Sequence, residues 1–360
     1  MIDNPEETSQ RKIEHIMIAK RDDIDLSTTS SWFEHVRLLH NPLPDASFDD
    51  VDLSWKFLGY ELKAPLLIEG MTGGHEATLS VNRALAEAAQ AEGVAIGVGS
   101  QRAALRNEDL VRTYSIVRET ATEVPVIANL GISHVIGDEG PDNAKRAVDM
   151  IDADALAIHL NPLQEVIQPE GSVDFTGSLV AIRDVTRELD VPVIVKEVGS
   201  GISKEAALVL KRAGVRIIDV AGQGGTSWSL IEGERSPEGS VRWVASRRFA
   251  DWGLPTPLAV MEVSTLSVKV IGSGGVRSGL DAAKCLALGA HMAGAARPFF
   301  IRAVEEGSDG VRDELNKFIF EMKLAAFLTG SLTVNQLRLT RKYLLTGPLK
   351  TLANERHIFI

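Results

Sequence analysis

Short apolar runs recur along the chain after a polar stretch of about sixty residues. Each run is four to seven residues long and rich in Val, Ile, Leu and Ala, which is typical of strands buried on both faces. The eight runs are PLLIEGM from Pro65, VAIGVGS from Val94, PVIANLG from Pro125, ALAIHLN from Ala155, PVIVKEV from Pro192, RIIDVAG from Arg216, VKVIGSG from Val268 and HMAGAAR from His291. Helix-like segments such as KEAALVLKRAG separate them. Eight strands alternating with helices predict an α/β fold, a single (β/α)8 TIM barrel.

The same pattern predicts one domain with an extension. Residues 1–60 are interpreted as an N-terminal extension packed on the barrel, and residues 61–360 as the barrel with C-terminal helices. A long stretch, residues 223–267, separates the sixth and seventh predicted strands. Connections of this length are usually functional, so we expect an active-site lid with a short helix near residues 257–266.

Composition excludes several classes of protein. With 360 residues, 44% apolar, the chain can bury a large core, and its single cysteine, Cys285, excludes a disulfide framework and is expected to be a buried structural thiol. The formal charge of −11 makes a nucleic-acid partner or an anionic membrane partner unexpected, so an anionic substrate would need a local basic cluster. The polar, acidic first residues are unlike a signal peptide and no apolar run could span a membrane, which predicts a cytoplasmic protein.

Polar side chains follow several predicted strands at the end where barrel enzymes carry their active sites. In ALAIHLN, alternation places His159 and Asn161 on the face that looks into the barrel, and Gln164 and Glu165 follow directly. Lys196 and Asn129 end two other strands in the same way. Each could be an ordinary satisfied polar residue of a large barrel, but their shared position favours a site.

Three glycine-rich segments predict a phosphate site. GSGGVRSG follows the seventh predicted strand, GAARPF follows the eighth, and AGQGGTSW with its hydroxyl at Thr226 follows the sixth. Loops after strands seven and eight are the usual phosphate-binding corner of this fold, where backbone N–H groups and helix N-termini face the anion. Glycine turns alone are weak evidence, because tight turns need glycine for conformational reasons.

These motifs together resemble one family, the type 2 isopentenyl diphosphate isomerases. The resemblance rests on RKIEH, GMTGG, GVGSQR, ANLG, HLNPLQE, VKEVGSG, GQGGTSW and GSGGVRSG, between Arg11 and a point beyond Arg297. HLNPLQE and the N-terminal RK pair are specific to that family, whereas other FMN barrels share the glycine segments. The resemblance implies an enzyme of isoprenoid biosynthesis that interconverts isopentenyl and dimethylallyl diphosphate with reduced FMN, NADPH or NADH as reductant, and Mg²⁺. It also implies a homotetramer or homo-octamer.

The family's site residues carry over position by position. The resemblance implies FMN contacts at Gly70, Met71, Thr72, Ser100, Asn129, Lys196, Thr226, Gly275, Val276, Arg277, Ala295 and Ala296. It implies substrate contacts at Arg11, Lys12, Ser100, Gln101, Arg102, His159, Asn161 and Gln164, to which we add His15 from the same basic arm. Glu165 is the implied Mg²⁺ ligand, with waters and diphosphate oxygens completing the octahedron.

The implied chemistry distributes roles among a few of these residues. Lys196 would favour the anionic reduced flavin through its charge. His159 would donate to the diphosphate, and the reduced flavin would protonate the alkene while its own nitrogen or Gln164 shuttles the second proton. Glu232, in the run WSLIEGE, is a reserve acid or base, although a solvated lid carboxylate is the more ordinary interpretation.

The basic residues Arg11, Lys12 and His15 form a cluster in an otherwise acidic chain. If RKIEHI is helical, Arg11 and His15 share a face, and Arg102 could approach from the second strand's loop. An isolated RK pair is usually a solvated charge run. Because a diphosphate needs cations, and arginine donates two bonds at once to phosphate oxygens, we expect the arm to fold over the barrel mouth.

Two other classes of function stay open. A 2-hydroxy-acid oxidase uses the same barrel, but it carries a His and Arg pair after the sixth strand, where this chain has DVAGQGGTSW. A non-catalytic flavin- or phosphate-binding barrel would account for the glycines and leave HLNPLQE unexplained.

Overall fold

Eight parallel strands close a barrel in the computed structural model, which describes residues 14–15, 17–18, 20–21 and 31–358. In chain order the barrel strands are β4 (Leu66–Ile68), β5 (Ala95–Gly97), β6 (Val126–Gly131), β7 (Ala155–His159), β8 (Val193–Lys196), β9 (Ile217–Asp219), β10 (Lys269–Gly272) and β11 (Met292–Ala295). Each pairs with its neighbour in sequence, and β11 returns to pair with β4. All eight apolar runs therefore become barrel strands, and the predicted TIM barrel is confirmed.

Four further strands of the described chain, each three residues long, lie outside the barrel. β1 (Val36–Leu38) pairs with β12 (Tyr343–Leu345), and β2 (Trp55–Phe57) pairs with β3 (Tyr60–Leu62), both antiparallel. The β1–β12 pair ties the described part of the N-terminal extension to the end of the chain. The predicted division at residue 60 stays a prediction.

Helices follow each barrel strand. They are α1 (Leu79–Glu92), α2 (Arg102–Arg106), α3 (Arg112–Thr120), α4 (Gly140–Met150), α5 (Pro162–Ile167), α6 (Ser178–Glu188), α7 (Lys204–Arg212), α8 (Trp228–Glu234), α9 (Val241–Arg248), α10 (Thr256–Ser264), α11 (Gly279–Ala287), α12 (Arg297–Leu328), α13 (Val334–Leu339) and α14 (Gly347–Glu355). Hydroxyls of Ser203, Ser227, Ser240, Ser278 and Thr333 accept a backbone N–H at the start of their helices. Such caps satisfy amides that a helix leaves unpaired. Within the described chain, no helix is both long enough and apolar enough to cross a bilayer.

The inside of the barrel is filled by alternate side chains of its strands. Ala155, Ala157 and Ile194 belong to this inner cluster, whereas Leu156 and Ile158 pack outward against the helices. The alternation expected for β7 is therefore confirmed. Because successive side chains of a strand point to opposite faces, the polar residues at the ends of β7 and β8 must face the barrel mouth.

The stretch between β9 and β10 holds three helices, and only two of them form a lid. The predicted short helix is present as α10, but Leu258, Val260, Met261 and Val263 are buried and α10 packs against β10. Most of its side chains are apolar and buried, and its one carboxylate, Glu262, is buried against Arg356, which is typical of a helix inside the fold. The expectation that it belongs to the lid is therefore wrong. The helices α8 and α9 pack on each other and on α5 beside the barrel mouth, and we call these two helices the lid.

Tyr114 of α3 joins two loops at the barrel mouth. Its ring is fully buried, and its hydroxyl donates to the Ser100 carbonyl oxygen at 2.7 Å. A methyl group added at Gly73, which has φ +142°, would lie 2.1 Å from the tyrosine ring. The glycines of GMTGG therefore give Tyr114 the space to hold the loop that carries Ser100.

Gly73→Ala should lower the free energy of unfolding far more than Gly137→Ala. Both glycines have positive φ, but the methyl added at Gly137 meets nothing within 4 Å. The crowding at Gly73 should add about 1–3 kcal/mol to the shared backbone strain. Urea denaturation followed by circular dichroism measures both variants, and equal losses would contradict the role of Tyr114.

Candidate active site at the barrel mouth

A cavity of about 320 Å³ opens at the carboxyl ends of the barrel strands. We call it the mouth cavity. The residues predicted for FMN, substrate or metal that line it are His15, Gly70, Met71, Ser100, Arg102, Asn129, His159, Asn161, Gln164, Glu165, Lys196, Thr226, Gly275, Val276, Arg277, Ala295 and Ala296. The structure thus brings most of the predicted site residues to one place, although their individual roles stay predictions.

Two predicted contact residues lie elsewhere. Gln101 is fully buried behind the cavity, where its amide donates to the Ala147 carbonyl oxygen at 2.8 Å and accepts from the Asn129 backbone N–H at 2.8 Å. The side chain of this glutamine holds β6 and α4 together, and substrate contact at Gln101 stays a prediction. Thr72 is also buried outside the cavity lining, and its carbonyl oxygen accepts from Gly99 N–H. Arg11 and Lys12 lie outside the described residues.

The glycine loops after β9 and β10 touch each other through their backbones. A methyl group at Gly225 would lie 2.7 Å from the Gly275 nitrogen, and one at Gly274 would lie 2.1 Å from the Gly222 carbonyl oxygen. Close backbone approach therefore requires glycine here. Beside these loops, α12 begins after Ala296, which offers its first turn no side-chain cap, and this first turn lines the cavity. We call these two loops and this helix start the phosphate corner, because such amides suit an anion.

On the opposite side, the HLNPLQE segment forms a hydrogen-bonded cluster. Asn161 Nδ2 donates to Gln164 Oε1 at 3.1 Å and to Glu165 Oε1 at 3.0 Å, while Ser172 N–H donates to Glu165 Oε2 at 2.6 Å. Burial raises the pKa of Glu165, although these hydrogen bonds act against it. Asn161 Oδ1 is buried and has no hydrogen-bond donor among the described residues. An oxygen acceptor is therefore available beside the carboxylate.

His159 and Asn129 form a second polar pair, one strand apart. His159 Nδ1 lies 2.8 Å from Asn129 Oδ1, and Asn129 Nδ2 donates to the Val98 carbonyl oxygen at 3.0 Å. Because the amide uses its nitrogen toward Val98, its oxygen must accept from His159, which assigns a proton to Nδ1. The Asn129 side chain therefore orients the histidine.

Glu232 of α8 is the buried centre of the lid. It is 0% exposed, and its carboxylate accepts from Gln164 Nε2 at 2.9 Å and from Arg235 at 2.7 Å. His15 Nε2 lies 3.1 Å from Glu232 Oε1, close enough for an ion pair when the imidazole carries a proton. The interpretation of Glu232 as a solvated lid carboxylate is wrong, because the side chain is fully buried. The sequence could not show this, since the pattern of a seven-residue helix does not reveal which of its faces the N-terminal extension covers.

Neighbouring charges and a hydrogen bond explain why the buried Glu232 is ionised. Burial alone would raise the pKa of Glu232, but the charges of His15 and Arg235 and the Gln164 hydrogen bond outweigh it and lower the pKa to about 2. At neutral pH the group is therefore ionised and can accept a proton but has none to give. Of the two roles predicted for Glu232, a reserve acid or a reserve base, the ionised carboxylate therefore suits the base.

The described residues of the N-terminal arm contact the lid. Glu14 accepts from Arg235 at 2.9 Å, Arg21 pairs with Glu234 at 2.7 Å, and the His15 ring meets Trp228 edge-on with centroids 5.4 Å apart. This part of the arm therefore lies over the barrel mouth, in the position expected for the RKIEH segment.

Lys196 stands on the floor of the mouth cavity between two acids. Its Nζ lies 3.3 Å from Asp219 Oδ2 and 3.7 Å from Glu69 Oε2. The sequence reasoning missed both carboxylates, although each ends a barrel strand as Lys196 does. In LLIEGM and RIIDVAG the signal was the same as in VIVKEV: one charged residue after a buried apolar run.

The fold of this chain recurs in proteins of known structure. The model of the FMN-dependent dehydrogenase family matches residues 143–344. A lactate oxidase of Pediococcus acidilactici has a TM-score of 0.65 and 17% identity, with 96% of each chain covered. A mandelate oxidase has a TM-score of 0.57 and 20% identity, with 90% of this chain and 89% of that chain covered. These two likenesses concern the fold alone.

Sequence relatives are much closer. An isopentenyl-diphosphate delta-isomerase of Methanococcoides burtonii is 46% identical, with 97% of this chain and 96% of the relative covered. The isomerase of the same name from Halobacterium salinarum is 43% identical, with 97% of each covered.

The barrel and its phosphate corner thus define a flavin barrel of the FMN-dependent dehydrogenase class. Within that class, the chain belongs to the isopentenyl-diphosphate delta-isomerase family, to which its relatives extend over nearly its full length.

Glu232→Gln should destabilise the protein at neutral pH but not in acid. Because the folded-state pKa is depressed, the ionised carboxylate stabilises the fold above its unfolded pKa of 4.5, and this contribution disappears as the pH falls toward 2. The loss at pH 7 should be about 3 kcal/mol. Denaturation at several pH values measures it, with the exposed Glu238→Gln as control. A loss of unfolding free energy in Glu232→Gln that stayed constant from pH 7 to pH 3 would contradict the ionised state assigned to Glu232.

Proposed function

We propose that the chain interconverts isopentenyl diphosphate and dimethylallyl diphosphate, using FMN in its reduced form. One observation carries the proposal: the HLNPLQE cluster and the phosphate corner line the same cavity. A flavin held at that corner would face the cluster of amide, imidazole and carboxylate groups across the cavity. The relatives named as isomerases support the reaction, and the family model supports the flavin.

The residues present fit FMN. Glycines of the two loops line the cavity with backbone that carries no side chain, and the uncapped start of α12 supplies amides for the anion. Lys196 on the floor supplies a cation for the edge of the ring. Burial lowers the pKa of Lys196, but the Asp219 carboxylate and, after it, the acidic side chain of Glu69 raise it by more, so Lys196 is charged at neutral pH. When bound and reduced, FMN supplies an acid and base that can move a proton between the two ends of the alkene.

The chain's cations and oxygen donors would hold the diphosphate. His15 and Arg102 line the mouth cavity, and Arg11 and Lys12 belong to the same arm as His15. Glu165 and the Asn161 Oδ1 atom offer oxygen ligands to Mg²⁺, which would complete its shell with water and diphosphate oxygens. Among the described residues, no three His, Cys, Asp or Glu side chains are grouped as a metal site by themselves. A site of this kind needs the substrate to be complete.

Gln164 and His159 would position the reacting carbons and their protons. The ionised Glu232 accepts from Gln164 Nε2, which turns the amide oxygen toward Asn161. His159, with its Nδ1 proton held by Asn129, presents its other ring nitrogen toward the substrate side. Neither needs to change protonation state to orient the alkene against the ring.

The two other classes of function are less well supported. The loop after β9 has neither the His nor the Arg of a 2-hydroxy-acid oxidase, and the similar oxidase structures share the fold alone. A non-catalytic barrel would have no need for the buried polar network around Gln164. NADPH or NADH as reductant, and a homotetramer or homo-octamer, remain predictions of the family resemblance.

Purified protein should bind FMN without a covalent bond and isomerise isopentenyl diphosphate only when the flavin is reduced. Anaerobic assays with dithionite, with product analysis by mass spectrometry, should show dimethylallyl diphosphate. The same protein with oxidised FMN in air should show none. Undiminished turnover in air would contradict the proposal, and oxidation of a 2-hydroxy acid in place of isomerisation would support the oxidase alternative.

Glu165→Gln should weaken the response to Mg²⁺ and leave FMN bound. The amide keeps the shape of the side chain but removes the charge that holds the cation. When rates are measured against Mg²⁺ concentration, the concentration that gives half the maximal rate should rise at least tenfold. The exposed Glu188→Gln should match the wild type. Unchanged Mg²⁺ dependence at an unchanged rate would show that the metal binds elsewhere.

A further inference from the structure

Three titratable side chains meet on the floor of the mouth cavity, and we call them the floor cluster: Glu69, Lys196 and Asp219. Glu69 follows β4, while Lys196 and Asp219 end the adjacent strands β8 and β9 and are register partners. Their side chains are 10%, 14% and 1% exposed. Two carboxyl groups therefore share a single ammonium group in a nearly dry place.

Two oxygen atoms of the floor cluster lack a hydrogen-bond donor. Glu69 Oε1 and Asp219 Oδ2 are both buried, and no donor among the described residues is aligned with either. Asp219 Oδ1, in contrast, accepts from Ser273 Oγ at 2.5 Å, and Lys196 Nζ donates to the Glu197 carbonyl oxygen at 2.8 Å. A buried acceptor without a donor costs about 1–3 kcal/mol, and two ionised carboxylates repel each other.

One proton would remove both problems. A carboxyl group that keeps its proton becomes a donor, so the acid form of one side chain could bond the unpartnered oxygen of the other. The cluster would then hold one ammonium, one carboxylate and one neutral acid. Its net charge would be zero instead of minus one.

The other groups that face the cluster do not supply that proton. The Glu197 carboxylate is turned away, where it accepts the backbone N–H groups of Val198, Gly199 and Ser200. Cys285 lies on the outer side of β10, and burial raises the pKa of its thiol, which is neutral. Among the described residues that line the floor, the titratable ones are the three of the cluster itself.

We propose that Glu69 is a neutral acid that shares its proton with Asp219 at neutral pH, and that it couples the reduction of FMN in the mouth cavity to proton uptake. The cofactor part of this inference rests on the proposed function. Glu69 is a positioning residue that acts through Lys196. When Glu69 is neutral, the only ionised counterion of Lys196 in the floor cluster is Asp219, so the floor cluster does not repel the negative charge of reduced FMN.

The size of the effect follows from linkage. Burial and the Asp219 carboxylate raise the pKa of Glu69 to about 8, so the acid ionises in the mildly alkaline range. Two electrons from a reductant such as dithionite and one proton give anionic reduced FMN. Above about pH 8, reduction of the flavin should bring a second proton from solvent, which binds to the ionised Glu69. The reason is that the new negative charge on the flavin raises the pKa of Glu69 further.

A redox titration of the FMN-loaded protein between pH 6.5 and 9.5 tests the coupling. In the wild type, the extra proton should change the reduction equilibrium by a further tenfold per pH unit above pH 8, which is about 30 mV for a two-electron couple. Glu69→Gln should lose this steeper part, since an amide can donate to Asp219 but cannot ionise. Glu92→Gln, which changes a carboxyl paired with Arg312 outside the barrel, should keep it.

Infrared difference spectra of the FMN-free protein test the shared proton separately. The wild type at pH 7 should show the carbonyl stretch of a protonated carboxyl that disappears by pH 9.5, and Glu69→Gln should lack it. Absence of this band from the folded wild type would overturn the protonation, and a steep segment retained in Glu69→Gln would overturn the coupling. If the protein bound no FMN, the proposed function and the coupling would both fail, while the infrared result would still decide the state of Glu69.

Discussion

The active-site geometry depends on the register of the parallel strands. Hydrogen bonding across β6 to β9 aligns Gly131 with His159, His159 with Lys196, and Lys196 with Asp219. Because these positions lie at one level of a closed barrel and share the inward face, their side chains must meet at the mouth. A slip of one residue in any strand would turn its polar group into the helix layer, where burial without a partner is costly. Ladder hydrogen bonds made by the backbone thus determine where the chemistry is.

Charge is arranged in two separate networks around the cavity. One lies above, where Glu232 joins the arm, the lid and α5 through His15, Arg235 and Gln164. The other lies below, where Lys196 is flanked by acids. Each network buries carboxylates beside cations, so the space between them can receive an anionic cofactor and an anionic substrate despite a net charge of −11. The acidic composition therefore says little about the site itself.

The sequence predicted the barrel because each buried strand is a continuous apolar run, a signal that needs no knowledge of distant contacts. It also predicted His159, Asn161 and Lys196 at the mouth, since strand alternation is local. The burial of the Gln101 side chain was not predicted, because a polar residue beside a site can equally serve the packing behind it. The burial of Glu232 depends on an arm more than two hundred residues away in sequence. The buried position of α10 depends on its packing against β10. Such long-range choices leave no trace in a short pattern.

The pairing of β1 with β12 gives the enzyme an order of assembly. Thr346 N–H and its hydroxyl bond the His35 carbonyl oxygen, which lies 311 residues earlier in the chain. During synthesis, the segment that leads from the arm into the barrel can therefore find this anchor only after nearly the whole chain has left the ribosome. The barrel strands pair with neighbours made just before them, so they can close earlier. A chain that ended before Tyr343 would contain all eight barrel strands and lack the β1–β12 pair that holds the segment around His35.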